Sequence, residues 1–128
     1  MRNWLFSFAL STLILAPACG SDGPTPASTC AEIDEIACKR TLECNTPEDL
    51  MQAGIDSEAD CVRLRVNARG GLACTEFTEQ TSNCNTGQRY NAEKAASCAE
   101  ILAQQACSEF LIDPSPGDCE LICEAAVR

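Results

Sequence analysis

The sequence contains no histidine and few aromatic residues. Histidine is the usual general acid or base near neutral pH, and its absence excludes the Ser-His-Asp and Cys-His arrangements as well as histidine metal ligands. Aromatic residues make up 5% of the chain, and only Phe77, Tyr90 and Phe110 lie beyond the N-terminal apolar segment. A core with so few large side chains is weakly stabilised by burial alone.

Basic residues are also scarce. The chain contains nine lysines and arginines and nineteen aspartates and glutamates, which gives a net charge of −10. This composition argues against nucleic acid as a partner, because phosphates require a basic footprint, and against electrostatic adhesion to anionic lipid. We interpret the acidic excess as a solubility feature, with a cationic partner or weak divalent-cation binding as the alternative. No aspartate-rich calcium loop is present, so no metal and no cofactor is assigned.

A long apolar run is missing as well. The longest run extends from Trp4 to Ala16, which is typical of a signal-peptide h-region and too short for a membrane-spanning helix of about twenty residues. Arg2 supplies the positive charge that precedes such a region. We therefore predict that residues 1–18 are a signal peptide. A buried N-terminal helix is disfavoured, because nothing downstream offers a comparably apolar face.

Cysteine, in contrast, is abundant, and its count of eleven is odd. Cys19 follows Ala16-Pro17-Ala18, which is similar to the bacterial lipobox, where small residues precede a cysteine that receives a diacylglyceryl group. The match departs from the usual pattern, in which Leu stands at the place of Ala16 and Pro17 is uncommon. Ala16 and Ala18 also satisfy the small-x-small rule of ordinary signal peptidase. The sequence therefore permits either lipidation of Cys19 or plain secretion.

The odd number of cysteines favours lipidation, because a lipid on Cys19 leaves an even number of cysteines to form disulfides. We predict a membrane anchor through a lipid on Cys19, and Gly20 beside it, rather than Asp, favours the outer membrane. Residues 19–29 form the lipidated cysteine and a flexible tether, since the stretch GSDGPTPAST cannot build a core. Fully extended, this tether spans about 35 Å.

The remaining cysteines predict a disulfide framework typical of an exported protein. They are Cys30, Cys38, Cys44, Cys61, Cys74, Cys84, Cys98, Cys107, Cys119 and Cys123. Their pairing stays open, because five disulfides allow roughly 945 connectivities. No CxxC pair occurs, so zinc-ribbon and thioredoxin-like sites are not indicated, and an oxidising compartment disfavours a metal-thiolate cluster. Cys119 and Cys123 lie one helical turn apart, and we expect each to bond to a neighbouring helix.

Helix-start residues and apolar spacing predict four main helices and one short helix in residues 30–128. The first covers about residues 30–44, with Thr29 and Glu32 as a capping box. A short second helix begins at Pro47 and stops at Gly54, and a third runs from Glu58 to the Gly70-Gly71 pair. The fourth follows Asn91, with a buried stripe of Ala95, Cys98, Ala99, Leu102 and Ala106. A last helix opens at Ser115 and carries Cys119, Ile122, Cys123 and Ala126.

Residues 72–88 lose this periodicity and are predicted to form a loop with at most one helical turn. No stretch alternates well enough to predict a strand. The expected fold class is therefore all-α, a small disulfide-stapled bundle of about four main helices plus short turns. Disulfides, rather than deep packing, would fix the relative positions of the helices.

Neighbouring carboxylates and arginines are the remaining candidates for chemistry. Pairs such as Asp34-Glu35 and Glu48-Asp49 do not face each other on a helix, so we interpret them as solvated. The cluster of Arg63, Arg65 and Arg69 is expected to pair with acids of the same domain, with an acidic partner as the alternative. Because no catalytic residue is indicated, we expect a protein that is not an enzyme.

The arrangement resembles the cysteine-rich lipoproteins that are abundant in myxobacteria. The residues that carry the resemblance are Cys38 and Cys44 before Thr46-Pro47, Asp60-Cys61 with Arg63-Leu64, and Tyr90-Asn91-Ala92 before Cys98-Ala99, Leu102 and Cys107. The resemblance implies a cell-envelope location and supplies no activity. We expect a surface-displayed interaction or structural module with an unknown protein partner. A secreted inhibitor or ligand-binding domain, released by ordinary signal peptidase, is the alternative.

Overall fold

The computed structural model describes residues 23–126. The fold is all-α with little sheet, as predicted. Its helices are α1 (Pro26–Cys44), α2 (Pro47–Ala53), α3 (Glu58–Ala68), α4 (Ala92–Gln104) and α5 (Cys107–Phe110). Two 3-10 turns cover Cys74–Glu76 and Gly117–Leu121, and two strands are β1 (Gln88–Tyr90) and β2 (Cys123–Ala125). The predicted signal peptide and Cys19 lie outside the described residues.

Helix α1 begins at Pro26, so the start predicted at residue 30 is wrong. Thr25 caps the helix in a reciprocal capping box with Ser28, and Pro26 occupies the first helical position, where its missing N–H has no cost. Thr29, the predicted cap, lies inside the helix and donates its hydroxyl proton to the carbonyl of Thr25 at 2.9 Å. Residues 26–29, which the sequence assigned to the tether, are therefore helical.

The next two helices begin and end where their local signals predict. Thr46 caps α2 through the N–H of Asp49, and Gly54 ends it in the left-handed conformation with φ of 69°, which glycine adopts without steric cost. Ser57 caps α3 through the N–H of Asp60. Of the residues in α3, only Cys61 is buried, so this helix lies on the surface of the fold.

Helix α4 packs against α1 more extensively than any other described element does. Ala95, Cys98, Ala99 and Leu102 are buried, as the apolar stripe predicts. The prediction that Ala106 belongs to this buried stripe is wrong, because Ala106 is exposed and precedes α5. The helix ends earlier because Gln105 adopts an extended conformation, which removes Ala106 from the helical face.

The predicted C-terminal helix is wrong. A 3-10 turn at Gly117–Leu121 replaces it, and the chain then extends into β2, which pairs antiparallel with β1. Tyr90 faces Cys123 in this ladder, and the N–H of Asn91 donates to the carbonyl of Ile122 at 2.8 Å. These contacts with a distant segment compete with helix formation and draw the chain into a strand.

All ten cysteines within residues 23–126 form disulfides. The pairs are Cys30–Cys74, Cys38–Cys61, Cys44–Cys107, Cys84–Cys123 and Cys98–Cys119. Cys119 bonds to α4 as expected, whereas the partner of Cys123 lies in the loop before β1 and not on a helix. The pairs are nested within an N-terminal half (residues 30–74) and a C-terminal half (residues 84–123), and Cys44–Cys107 alone joins the halves.

The core lies between α1, α4 and the segments that the disulfides hold against them. One cluster contains Phe77 and Tyr90, whose rings meet edge to face with centroids 5.4 Å apart. The other contains Leu102 and Phe110, and the partly buried Ile33 packs against both clusters. Within residues 23–126, no helix has the length and apolar character needed to cross a membrane.

Candidate functional site

A buried carboxylate joins α1 to α3. Asp34 is only 3% exposed, so the prediction that Asp34 and Glu35 form a solvated pair is wrong for Asp34, while Glu35 is exposed. Its Oδ1 accepts hydrogen bonds from Arg65 Nε at 2.6 Å and Arg69 Nη1 at 2.8 Å. Its Oδ2 accepts from Arg69 Nη2 at 2.7 Å. Asp34 therefore binds two arginines at once.

The two arginines differ in how many of their hydrogen-bond donors have a partner. Arg69 makes a two-point contact with Asp34, donates from Nε to the carbonyl of Leu72 at 3.2 Å and lies 5.6 Å from the centroid of the Phe77 ring. Within residues 23–126, the Arg65 side chain hydrogen-bonds through Nε alone, and it is 37% exposed. Arg69 is thus a structural group, whereas Arg65 keeps donors for another partner.

The arginine cluster behaves as the sequence predicts, since each member pairs with an acid of the same domain. Arg63 contacts Asp60 at 2.8 Å on the surface of α3, and the other two arginines contact Asp34. Burial raises the pKa of Asp34, but the hydrogen bonds from Arg69 and Arg65 and their charges outweigh it and leave that pKa below its ordinary value. Asp34 is therefore an anion with its acceptors occupied, which is unsuited to general-base chemistry.

Beside this ion cluster lies a cleft of about 330 Å³ between the two disulfide-linked halves. Its apolar lining includes Ile33, Phe77, Leu102 and Ile122. This volume is at the small end of the range of about 300–1,000 Å³ that is typical of ligand pockets. Its accessible surface is about equally polar and apolar, so hydrocarbon and hydrogen-bonding groups meet in one concave site.

Positively charged side chains outnumber negatively charged ones in the lining of the cleft. Arg65 and Arg69 line it together with Asp34, and Asp34 is the sole carboxylate among the lining residues of the described chain. The exposed residues Asn83 and Ser115 add neutral polar groups at the mouth. One negative and two positive charges leave this region with a net positive charge in a protein whose net charge is −10.

Tyr90 also lines the cleft, and its hydroxyl lies 3.3 Å from Thr29 Oγ1. Burial raises the pKa of Tyr90, and the hydrogen bond that the phenol shares with Thr29 offsets this effect only in part. The phenol is therefore neutral at physiological pH. It contributes a fixed polar point to a wall of mixed polarity, and it does not act as a base.

Potential metal ligands meet at one place in the described chain, where Cys30, Asp34 and Cys74 lie together. The two sulfurs are bonded to each other, and metal ligation requires a thiolate. The carboxylate is held by Arg65 and Arg69. This group consequently does not fit a metal ion in the oxidised protein.

The sequence predicts that the arginines pair with acids of the same domain, but it does not predict that Asp34 is buried between them. The available signal was position, because Asp34 is four residues from both Cys30 and Cys38 and so shares their helix face. Both of these cysteines are buried, and a lone carboxylate on a buried face requires a partner. The cleft itself had no such signal, since its walls come from segments far apart in sequence.

Comparisons with known proteins supply no family for this chain. No family model matches it, and neither a curated protein nor a solved structure does so at the significance applied.

Proposed function

We propose that this chain is a bacterial cell-envelope lipoprotein, anchored in the outer membrane through Cys19, whose disulfide-stapled helical domain is a non-enzymatic interaction module. The observation that carries the proposal is the pairing of the cysteines. Five disulfides use every cysteine from Cys30 to Cys123, and eleven are present in the sequence. Cys19 is therefore the one cysteine that these bonds do not use.

Export is supported by the disulfides themselves. Such bonds form and persist in oxidising compartments and are rare in the cytosol of most organisms. The apolar run from Trp4 to Ala16 is typical of the signal peptide that such export requires. The resemblance to cysteine-rich lipoproteins of myxobacteria points to the same location.

Anchoring is supported by the sequence around Cys19. Ala16 and Ala18 provide the small residues of a lipobox, and Gly20 is compatible with outer-membrane sorting. Because α1 begins at Pro26, the tether reduces to residues 20–25, which span about 20 Å when fully extended. The domain would therefore lie close to the lipid headgroups, held by acyl chains that each contribute about 0.8 kcal/mol per buried methylene.

A binding role, rather than catalysis, is supported by the chemistry of the residues. The sequence lacks histidine. Both carboxylate oxygens of Asp34 already accept hydrogen bonds from Arg65 and Arg69. The preformed cleft offers contacts without a nucleophile and base in reach of each other. The second candidate is a secreted inhibitor or ligand-binding domain, which is favoured by the ordinary signal-peptidase pattern of Ala16 and Ala18.

The anchor is tested by comparing the wild-type chain with Cys19→Ser in cells fed labelled palmitate. We expect the wild-type chain to carry label and to sediment with membranes. Cys19→Ser should lose both properties while the disulfide-bonded domain is still exported. Ser21→Ala, a change two residues away that leaves the cysteine intact, is the matched control and should stay labelled. A wild-type chain that is unlabelled and soluble would overturn the anchor and favour the secreted alternative.

A further inference from the structure

The cleft between the two halves has an electrostatic character that its surroundings lack. Asp34 is neutralised by the two-point contact with Arg69. Arg65 therefore adds a positive charge that no other lining carboxylate in the described chain balances. Its Nη1 and Nη2 make no hydrogen bond within residues 23–126, which leaves two donors in the geometry that binds a carboxylate through both oxygens.

Between its polar groups, the cleft also presents apolar surface that can contact hydrocarbon. Ile33 and Phe77 come from the N-terminal half, and Leu102 and Ile122 come from the C-terminal half. Burying such surface is favourable by about 25 cal/mol per Å² of apolar area. An apolar body in the cleft and a negative head at Arg65 would satisfy both parts of the lining.

We infer that this cleft binds a small amphipathic acid, a monocarboxylate with a hydrocarbon body, whose carboxylate pairs with Arg65. The class follows from size, charge and polarity together. The volume of about 330 Å³ accommodates a small ligand, and the single unbalanced charge matches one anion. A cationic ligand would meet Arg65 with like charge, which is unfavourable. A neutral amphiphile would leave the two arginine donors unpaired.

This inference rests on the proposed function in treating the domain as a binding module, and it does not depend on the anchor. Lipidation of Cys19 and ligand binding have separate readouts. If Cys19 is lipidated and the cleft binds no acid, only the ligand assignment fails. If the cleft binds acid in a protein that is not lipidated, only the anchor fails.

The test uses three probes of equal chain length and different head groups, namely octanoate, octanol and octylamine. They are titrated calorimetrically into the full chain carrying Cys19→Ser, purified after export with its disulfides formed. We expect octanoate to bind saturably at one site per chain. Octanol should bind about tenfold or more weakly, because it lacks the charge-assisted hydrogen bonds to Arg65, and octylamine should not bind.

Arg65→Gln should weaken octanoate binding to the level of octanol and leave octanol binding unchanged, which also shows that the cleft is intact. Arg63→Gln is the matched control, since Arg63 lies on the same helix, pairs with Asp60 and does not line the cleft. It should bind octanoate as the wild type does. The inference is overturned if octanoate does not saturate the folded chain that carries Cys19→Ser alone, or if Arg65→Gln and Arg63→Gln lose equal affinity in that background.

A second variant keeps the test decisive should Arg65→Gln unfold the domain. Asn83 is exposed at the mouth, so Asn83→Trp is expected to fold and to obstruct the cleft. Binding of octanoate and octanol should both fall by about tenfold or more. Unchanged binding of both probes to a folded Asn83→Trp chain would place them outside the cleft and overturn the assignment.

Discussion

Asp34 and Glu35 are adjacent carboxylates on α1 with opposite surroundings. Asp34 is buried against Arg65 and Arg69, whereas Glu35 is exposed. A buried ion pair is not by itself strong support for stability, because desolvation opposes the attraction. Removing one partner is nevertheless costly, since it leaves the other charge buried and unpaired.

We predict that Asp34→Asn lowers the free energy of unfolding by about 3 kcal/mol, because Arg69 would lose its anion while only 10% of its side chain is exposed. Glu35→Gln removes a charge one residue away at an exposed position and should change the stability by less than about 0.5 kcal/mol. Urea unfolding with the disulfides intact measures both. Equal stability of the two variants would show that the Asp34 cluster does not hold α3 against α1.

The same residue makes stability depend on pH. Burial raises the pKa of Asp34, but hydrogen bonds and charge from Arg69 and Arg65 leave it below its ordinary value of 3.8. A lowered folded-state pKa means that the unfolded chain binds the proton more readily, so this stabilisation is complete above the unfolded pKa and is lost as pH falls through the folded one.

The stability difference between the wild type and Asp34→Asn should therefore be constant near neutrality and shrink between about pH 5 and pH 2. Urea unfolding across this range isolates Asp34 from the other carboxylates, because they are common to both chains. A difference that grows as the pH falls would contradict the assigned direction.

At the level of elements, the helix starts depend on their caps. Thr25 and Thr46 each precede a proline and close a capping box, with Ser28 and Asp49 respectively. The sequence predicts that α2 begins at Pro47, and Thr25-Pro26 carries the same signal for α1. The Thr29 and Glu32 pattern competed with it, and the earlier cap prevails because the residues from Pro26 onward continue the helix without a break.

We predict that Thr25→Ala destabilises the domain by about 1 kcal/mol, because the N–H of Ser28 loses its side-chain acceptor. Thr25→Ser keeps a hydroxyl at the same place and should retain most of the stability. Thermal unfolding, together with hydrogen exchange at the first turn of α1, distinguishes the two variants. If the alanine and serine variants are equally destabilised, Thr25 does not act as the cap.

The sequence predicts correctly those helices whose ends are stabilised by contacts between residues close together in the chain. The ends of α2 and α3 follow from Thr46, Gly54 and Ser57, whose hydrogen bonds or backbone preferences act within one turn. The strands β1 and β2 have three residues each, too few for alternation to be visible. They exist because distant segments pair, which the sequence does not encode locally.

At the scale of the whole molecule, the disulfides divide the chain into two nested halves. Cys30–Cys74 encloses Cys38–Cys61, and Cys84–Cys123 encloses Cys98–Cys119. Among the disulfides of residues 23–126, Cys44–Cys107 is the one that crosses between them. The cleft lies at this junction, with Arg65 on one side and Leu102 on the other, so the geometry of the site depends on how the halves pack.

This connectivity predicts the behaviour of a chain cut once within residues 78–83. The two fragments should stay together in a denaturing gel without reductant, because Cys44–Cys107 joins them, and should separate after reduction. In the double variant Cys44→Ala with Cys107→Ala, they should separate without reductant. Fragments of that variant that remain joined would show that another disulfide crosses between the halves.

We propose that the cysteines have two roles, ten in disulfides and Cys19 as the lipid anchor. The most direct test is the intact mass of the protein purified from its native membranes and alkylated without reduction. We predict a chain that begins at Cys19, carries the added mass of a diacylglyceryl group and acyl chain, and has no alkylated cysteine. A mature chain with an alkylated, unlipidated Cys19, or with any alkylated cysteine between Cys30 and Cys123, would refute this division of roles.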